Sequence, residues 1–482
     1  MYRKNLYLLR VLTLTTLIFL LGLGASFAQN VPSPEDVLGF KVGADYHLAD
    51  YNQALEYFRA LEKSSTRIKL FEMGKTSMER SMVYAVISSE DNMAHLDRYK
   101  EISRKLALTK GLNDGAARRL ASEGKAVVWI SVGVHATECA PPQQAMLLAY
   151  DLVANEDPET RFMRENTILL LVFANPDGMQ MVAEWYLPNV GTPYEMSQMP
   201  WLYHKYAGHD NNRDSYINNL PETRNMTRVI NKEWYPAVLY DHHQRGPFPA
   251  RIWIPPNAEP VNPNIHPLLT RGINLLGTSM GYSFDRESKP GAISRFNYEF
   301  WPPFFLDTFG YYFHILSIMT ETQYYGYATP HLYTLDEFPE KFRDFTPSVF
   351  YPNPWKGGWW RMRDAVEYCL TASKAVLLTA AKYRQEFLYG KYQMGKDTIA
   401  LFKKEAPYAW IVPQDQWDPP VAARMLDNLV FSGISIYKST EPFVSNSTSY
   451  LAGTWVIPMD QAFGRYVKVL FEDQPYPDLT KY

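Results

Sequence analysis

The chain has 482 residues, 46% of them hydrophobic and 21% charged, enough apolar material for a large core and two or three ordinary domains, which excludes a disordered protein. Its formal charge of −3 becomes −6 once the first 28 residues, with Arg3, Lys4 and Arg10, are set aside, which excludes nucleic acid as a partner. Two cysteines, Cys139 and Cys369, are too few for a disulfide framework, so packing must hold the fold.

In chain order, the three N-terminal cations precede an apolar run from Val11 to Gly24 and then Ala25-Ser26-Phe27-Ala28, small residues at the positions a signal peptidase reads. The run is shorter than the roughly 20 residues that span a bilayer. A signal peptide cut after Ala28 is predicted, giving a secreted or periplasmic protein with no membrane anchor after cleavage.

Short apolar runs follow at Met82 to Ser88, Ala126 to Val134, Thr167 to Ala174, Ala237 to Tyr240 and Ile315 to Thr320. Apolar on both faces, they read as buried sheet strands. Pro141 to Glu156 has Pro near its start and Ala145, Leu148 and Leu152 at helical spacing, so it reads as a crossover helix. Strand, helix, strand predicts an α/β domain. Asp364 to Lys382 reads as a long helix and the charged stretch Lys391 to Lys404 as a linker. A second α/β unit is predicted near residue 405: a strand at Tyr408 to Val412, a helix at Pro420 to Phe431 ending before Gly433, and a strand at Ile434 to Tyr437.

Of ten histidines, only His135 has a Glu three positions on, in His135-Ala-Thr-Glu138 at the end of the strand Ala126 to Val134. Ligands of open α/β sheets gather at the carboxyl ends of strands. A catalytic zinc takes about three protein ligands and leaves one position open, and two His with one Glu suit it. The next strand, Ala237 to Tyr240, runs into Asp241-His242-His243-Gln244. Adjacent strand residues face opposite ways, so one histidine can join the site; His243 is chosen because Asp241 can share its face. The strand ending in Thr320 carries Glu321 to the same edge, where a carboxylate can take a proton from water and return it to a leaving amine. Cys139, beside a proposed ligand, reads as a small packed residue rather than a nucleophile.

His135-x-x-Glu138, Asn175-Pro-Asp-Gly178, Asp210-Asn-Asn-Arg213, Asp241-x-His243 and Thr320-Glu321 resemble, in order and spacing, the motifs of the zinc carboxypeptidases, over about residues 45 to 385. The resemblance implies an α/β fold with a mixed eight-stranded sheet flanked by helices, one Zn2+ per chain held by His135, Glu138 and His243, and Glu321 as catalytic base. It implies that Asn212 and Arg213 grip a substrate's terminal carboxylate, as a planar guanidinium can with two parallel hydrogen bonds; Asp214, where the family often has Asn, would weaken that clamp. A mobile tyrosine is implied about twenty residues before the base; Tyr298 fits, with Tyr311 and Tyr312 nearby. The family also uses an arginine between the second and third motifs for the oxyanion. None occurs from Met179 to Asn212, and Lys205 is the substitute there.

The domains expected are a signal peptide at 1–28, a catalytic domain at 29–390 and, at 405–482, the start of a unit resembling an amidotransferase-like domain, carried by Gly453-Thr-Trp-Val-Ile-Pro-Met-Asp-Gln461. That unit has no cysteine nucleophile and is expected to pack on the first domain. The predicted activity is hydrolysis of a peptide or related amide. Its rivals are an amidase or deacylase acting on a cell-wall amide, and a binding protein that keeps the fold without turnover.

Overall fold

The computed structural model describes residues 31–205 and 210–481. The predicted signal segment 1–28 lies outside the described residues. Among the described residues, no helix is long and apolar enough to cross a membrane.

A mixed eight-stranded sheet forms the centre. Its strands are β1 (Ile68–Lys75), β2 (Ser81–Ile87), β3 (Ala126–Val132), β4 (Thr167–Phe173), β5 (Val238–Arg245), β6 (Ile252–Trp253), β7 (Ala292–Ile293) and β8 (Leu316–Gln323), in the order β1-β2-β4-β3-β5-β8-β6-β7. Strands β4, β3, β5 and β8 run parallel, β2 pairs antiparallel with β4, and β1 pairs antiparallel with β2. Every residue of β3 and β4 is buried, as their two-faced apolar sequence demands. The predicted eight-stranded mixed sheet flanked by helices is the architecture found.

The helices that matter for the site are α1 (Ala140–Ala154), α2 (Pro176–Tyr186), α3 (Pro267–Arg286), α4 (Leu306–Tyr311), α5 (Met362–Lys382) and α6 (Arg384–Phe402). Helices α1 and α5 pack on one another, and both lie against β3 and β5. Two strand ends differ from their predicted positions. Strand β5 continues through Asp241, His242 and His243 to Arg245, so these residues lie inside the strand, and β8 extends past Glu321. Polar residues continue the ladder because the parallel neighbour keeps pairing with them, His243 opposite Glu321 and Arg245 opposite Gln323.

The predicted linker is a helix. Helix α6 buries Leu388, Tyr392, Met394 and Phe402, and with them Lys391, which charged composition alone marks as solvated. The Lys391 ammonium donates to the carbonyls of Tyr235 (2.8 Å) and Pro236 (2.5 Å), just before β5. Those carbonyls would otherwise lack donors in the interior.

Beyond α6, the strands Ala409–Val412, Trp455–Pro458 and Tyr437–Lys438 form a small antiparallel sheet with the middle-named strand at its centre. It is accompanied by α7 (Pro419–Ser432) and α8 (Gly464–Phe471). The strand expected at Ile434 to Tyr437 shortens to Tyr437–Lys438, because the backbone of Ser435 is hydrogen-bonded in both directions by the Gln461 side chain instead of a neighbouring strand. This unit is docked on the sheet domain. Asn218 donates to the Asn428 side chain (3.0 Å), Asn231 to the Ser432 carbonyl (3.0 Å), and the Tyr466 ring packs tilted against Phe313 with centroids 4.6 Å apart.

Candidate metal centre

Strand β3 stops at Gly133, whose φ of +70° turns the chain sharply. A Cβ there would sit 2.7 Å from the ring of Pro142 at the start of α1, so glycine lets the turn and the helix approach one another. The next residues, His135 to Cys139, form a tight turn closed by the Glu138 N–H on the His135 carbonyl (3.0 Å). Two of the sequence motifs brace this turn. The Asn175 side-chain amide donates to the Val134 carbonyl (3.2 Å) while its oxygen caps α2, and the Asn211 amide donates to the same carbonyl (2.7 Å). Their adjacency to the chemistry is mechanical: they fix the carbonyl that precedes His135.

The side chains of His135, Glu138 and His243 converge, with donor atoms all within 4.8 Å of one another, the one such group of His, Cys, Asp or Glu among the described residues. His135 Nδ1 lies 2.8 Å from Glu138 Oε1 and His243 Nδ1 lies 3.0 Å from Glu138 Oε2. Each outer nitrogen meets a carboxylate: His135 Nε2 with Asp210 at 2.8 Å, His243 Nε2 with Asp241 at 2.9 Å. Carboxylate–imidazole pairing of this kind fixes the tautomer and aims the other nitrogen, Nδ1 in both rings, at a metal. Glu138 is held further by the Gln244 backbone N–H on Oε2 (2.9 Å).

The electrostatics are those of a cluster built for positive charge. Burial alone would lower the pKa of His135, but the Glu138 charge and the bonds to Asp210 and Glu138 raise it to about 9. His243 is also raised well above the usual imidazole range, against its burial, by Asp241 and Glu138. Glu138, although burial opposes it, is brought down to about 2 by the two imidazoles. Two imidazole nitrogens and both oxygens of one carboxylate, each oriented from behind, fit zinc.

His242 points the other way. Its Nε2 meets Ser373 of α5 at 2.8 Å, and burial lowers it to about 3, so it is a neutral core residue.

Glu321 lies opposite His243 in the parallel β5–β8 register. It is 9% exposed, and its Oε2 is buried without a hydrogen-bond partner. Burial and then the Glu138 charge push it up to about 7. An orphaned carboxylate oxygen beside a metal-binding cluster is what a group that handles protons requires.

His135, His243 and Glu321 line a cavity of about 450 Å³ together with Asn212, Arg213 and Tyr298. Asn212 is anchored, its oxygen accepting from the Leu306 N–H (2.9 Å) and its nitrogen 3.2 Å from His243 Nε2. The Arg213 guanidinium lies over the Phe305 ring (4.2 Å) and pairs with Asp210 (3.3 Å). Asp214 turns away: fully buried, it accepts from the backbone N–H groups of Asn219 (3.1 Å) and Leu220 (2.9 Å). Its charge thus serves the following turn and does not face Arg213's cavity. Tyr298 packs on Trp253 (centroids 4.5 Å), and the Glu321 charge acts on its hydroxyl.

Lys205 is exposed and is not among the residues lining this cavity. A cation that sequence reasoning missed is Arg245, two residues beyond His243 on the same face of β5; it does not line the cavity either but stands directly behind its Tyr298. It donates to the Tyr298 hydroxyl (3.4 Å), and its charge acts on Glu321. The i, i+2 spacing from His243 was the available signal. Asp307, also missed, lines the cavity from α4 at 2% exposure; burial and then the Asp241 charge push it to about 7. A second cavity, of about 380 Å³, opens on the other side of the metal-ligand turn between Thr137 and the aromatic residues Trp201, Tyr203, Tyr324 and Tyr325.

No curated protein sequence matches the chain. Among solved structures, a metallo-carboxypeptidase from Burkholderia cenocepacia is 14% identical, with 70% of this chain and 71% of that one covered and a TM-score of 0.44. Carboxypeptidase A from Helicoverpa armigera is 15% identical (71% and 74% covered, TM-score 0.43). A metallo-carboxypeptidase from Pseudomonas aeruginosa, solved in complex with (2-guanidinoethylmercapto)succinic acid, is 15% identical (70% and 68% covered, TM-score 0.43). The family model described as zinc carboxypeptidase matches residues 54–247. That segment, which carries His135, Glu138 and His243, therefore belongs to the zinc carboxypeptidase family of metal-dependent enzymes.

Proposed function

We propose that the protein is a secreted zinc-dependent metallopeptidase that hydrolyses peptide bonds as a carboxypeptidase, with one zinc per chain held by His135, Glu138 and His243. The observation that carries this reading is the β5–β8 register: it sets the buried Glu321 carboxylate, its Oε2 unpartnered, opposite His243, in one cavity with Asn212 and Arg213. When bound, zinc supplies Lewis acidity that polarises the scissile carbonyl and makes water a stronger nucleophile. Glu321 takes the proton of the attacking water and passes it to the leaving nitrogen. Asn212 and Arg213 hold the terminal carboxylate, with the Phe305 ring supporting the guanidinium face. Arg245, rather than the exposed Lys205, stabilises the developing oxyanion, and the Tyr298 hydroxyl between Arg245 and Glu321 closes over the substrate.

The ion pair of Arg213 with Asp210 favours one second reading, an amidase or deacylase whose substrate has no free terminal carboxylate. Zinc content and peptide products separate the two, measured in the mature protein and in His243→Ala. About one zinc per chain, lost in the variant, with single residues released only from free C-termini, supports the carboxypeptidase. Equal cleavage of amidated peptides refutes it in favour of the amidase, and absence of zinc refutes both.

A further inference from the structure

The metal cavity is not walled by the sheet domain alone. Tyr476, from the segment that follows α8, lines it beside Trp301, Phe304 and Phe305. Its ring meets the Trp301 indole edge-on at 5.0 Å, and its hydroxyl donates to Glu299, another residue of the cavity wall. The contact is anchored on both sides of the ring. Gln474 accepts from the Trp301 indole N–H (3.1 Å) and donates to the Val469 carbonyl (2.7 Å), while Pro475 and Pro477 stiffen the chain either side of Tyr476. Glu472 is bonded by Asn264 and Lys468.

Helix α8 itself is fixed beneath the same cavity. Tyr466 is fully buried against Phe309 and Phe313, with centroids 5.5 and 4.6 Å away, and Phe309 belongs to α4, which also presents Asp307 and Thr308 to the cavity. The C-terminal unit thus lines the cavity at Tyr476 and packs behind it against α4.

We propose that Tyr476 is a specificity-determining residue: with Trp301 and Phe304 it forms an aromatic wall that selects substrates whose terminal side chain is large and apolar. The inference rests on the carboxypeptidase reading, because Arg213, Asn212 and Glu321 set which part of a substrate enters this cavity. An edge-on or offset aromatic contact favours an aromatic side chain over a methyl group, and removal of the Tyr476 ring is expected to cost an aromatic ligand about three- to tenfold in affinity.

The test uses the full, zinc-loaded chain and two dicarboxylate probes, 2-benzylsuccinate and 2-methylsuccinate, titrated calorimetrically into wild type, Tyr476→Ala and Tyr476→Phe, with zinc content and melting temperature measured in each. The expected result is that Tyr476→Ala weakens benzylsuccinate about three- to tenfold and changes methylsuccinate less than twofold, while Tyr476→Phe binds both as wild type does. Unchanged benzylsuccinate affinity in Tyr476→Ala, or an equal loss for both probes, overturns the role of Tyr476 and leaves the carboxypeptidase reading standing. Wild type that holds zinc but binds neither probe overturns that reading and this inference with it.

Discussion

Asp241→Asn is the most direct probe of how the fold prepares the metal centre. Asp241 is fully buried, and its carboxylate has two duties: Oδ2 meets His243 Nε2 at 2.9 Å and Oδ1 accepts from the Ser131 hydroxyl at 2.6 Å. With Nδ1 facing Glu138, the outer nitrogen of His243 must carry the proton and needs an acceptor. An asparagine fits the same space but offers one acceptor oxygen and no charge. If the amide oxygen stays on His243, its NH2 turns to Ser131, whose hydroxyl can rotate to accept; the ring orientation survives and the basicity lent by the carboxylate is lost. Loss of such a partner typically weakens metal binding about 10- to 100-fold, or about 1.4–2.8 kcal/mol. The corresponding change at Asp210, whose side chain is 34% exposed and also serves Arg213, is expected to cost less, because solvent already screens it. Competition titration against a chromophoric chelator at fixed pH measures both, with the unfolding of the metal-free proteins as control. A dissociation constant within threefold of wild type for Asp241→Asn would refute the argument, as would a larger effect at Asp210.

Three further outcomes are expected. Glu321→Gln should keep zinc affinity within about threefold while kcat falls by about 10²- to 10⁴-fold; because a nearby dication lowers the carboxyl from the value of about 7 set by burial and Glu138, wild-type kcat/KM should rise with pH on a limb below about 7 that the variant lacks, and a variant with a tenth of wild-type activity would exclude Glu321 as the base. Zinc affinity should itself rise with pH by about tenfold or more per unit between 6.5 and about 9, since the metal-free protein holds protons on His135 and His243 there and zinc must displace them; a pH-independent affinity would contradict this. Lys391 links folding to pH: burial lowers its pKa to about 7, so between 7 and 10.5 the unfolded chain binds more protons than the folded one, and wild type should gain stability relative to Lys391→Met as pH rises through that window. The gain is on the order of 1 kcal/mol per pH unit, read as urea midpoints at pH 7 and 10, and a constant difference would mean that Lys391 is not buried as a cation.

What the sequence made legible is the part of the site that is local in the chain or fixed by alternation along a strand. His135 and Glu138 sit on one turn, and β5 sends His242 into the core and His243 to the cluster, so a three-residue spacing and a two-residue period were enough to find the residues that could hold a metal. Glu321 needed one further step, that β8 runs parallel beside β5. The remainder depends on contacts between distant segments. Nothing in the composition of α6 distinguishes a solvated helix from one whose Lys391 answers two carbonyls more than 150 residues away, and the charged stretch therefore read as a linker. Asp210 is shared between Arg213 and His135, which motif spacing does not show, because one carboxylate has two oxygens and spacing counts only residues. The same reasoning bears on the missing family arginine. A search between two motifs looks for a cation at a place in the chain, whereas the oxyanion needs one at a place in space, and strand alternation already carries Arg245 to the face of His243. Loss of an arginine from one loop is therefore compatible with a complete set of charges at the site, provided that a strand ending at the same sheet edge supplies another.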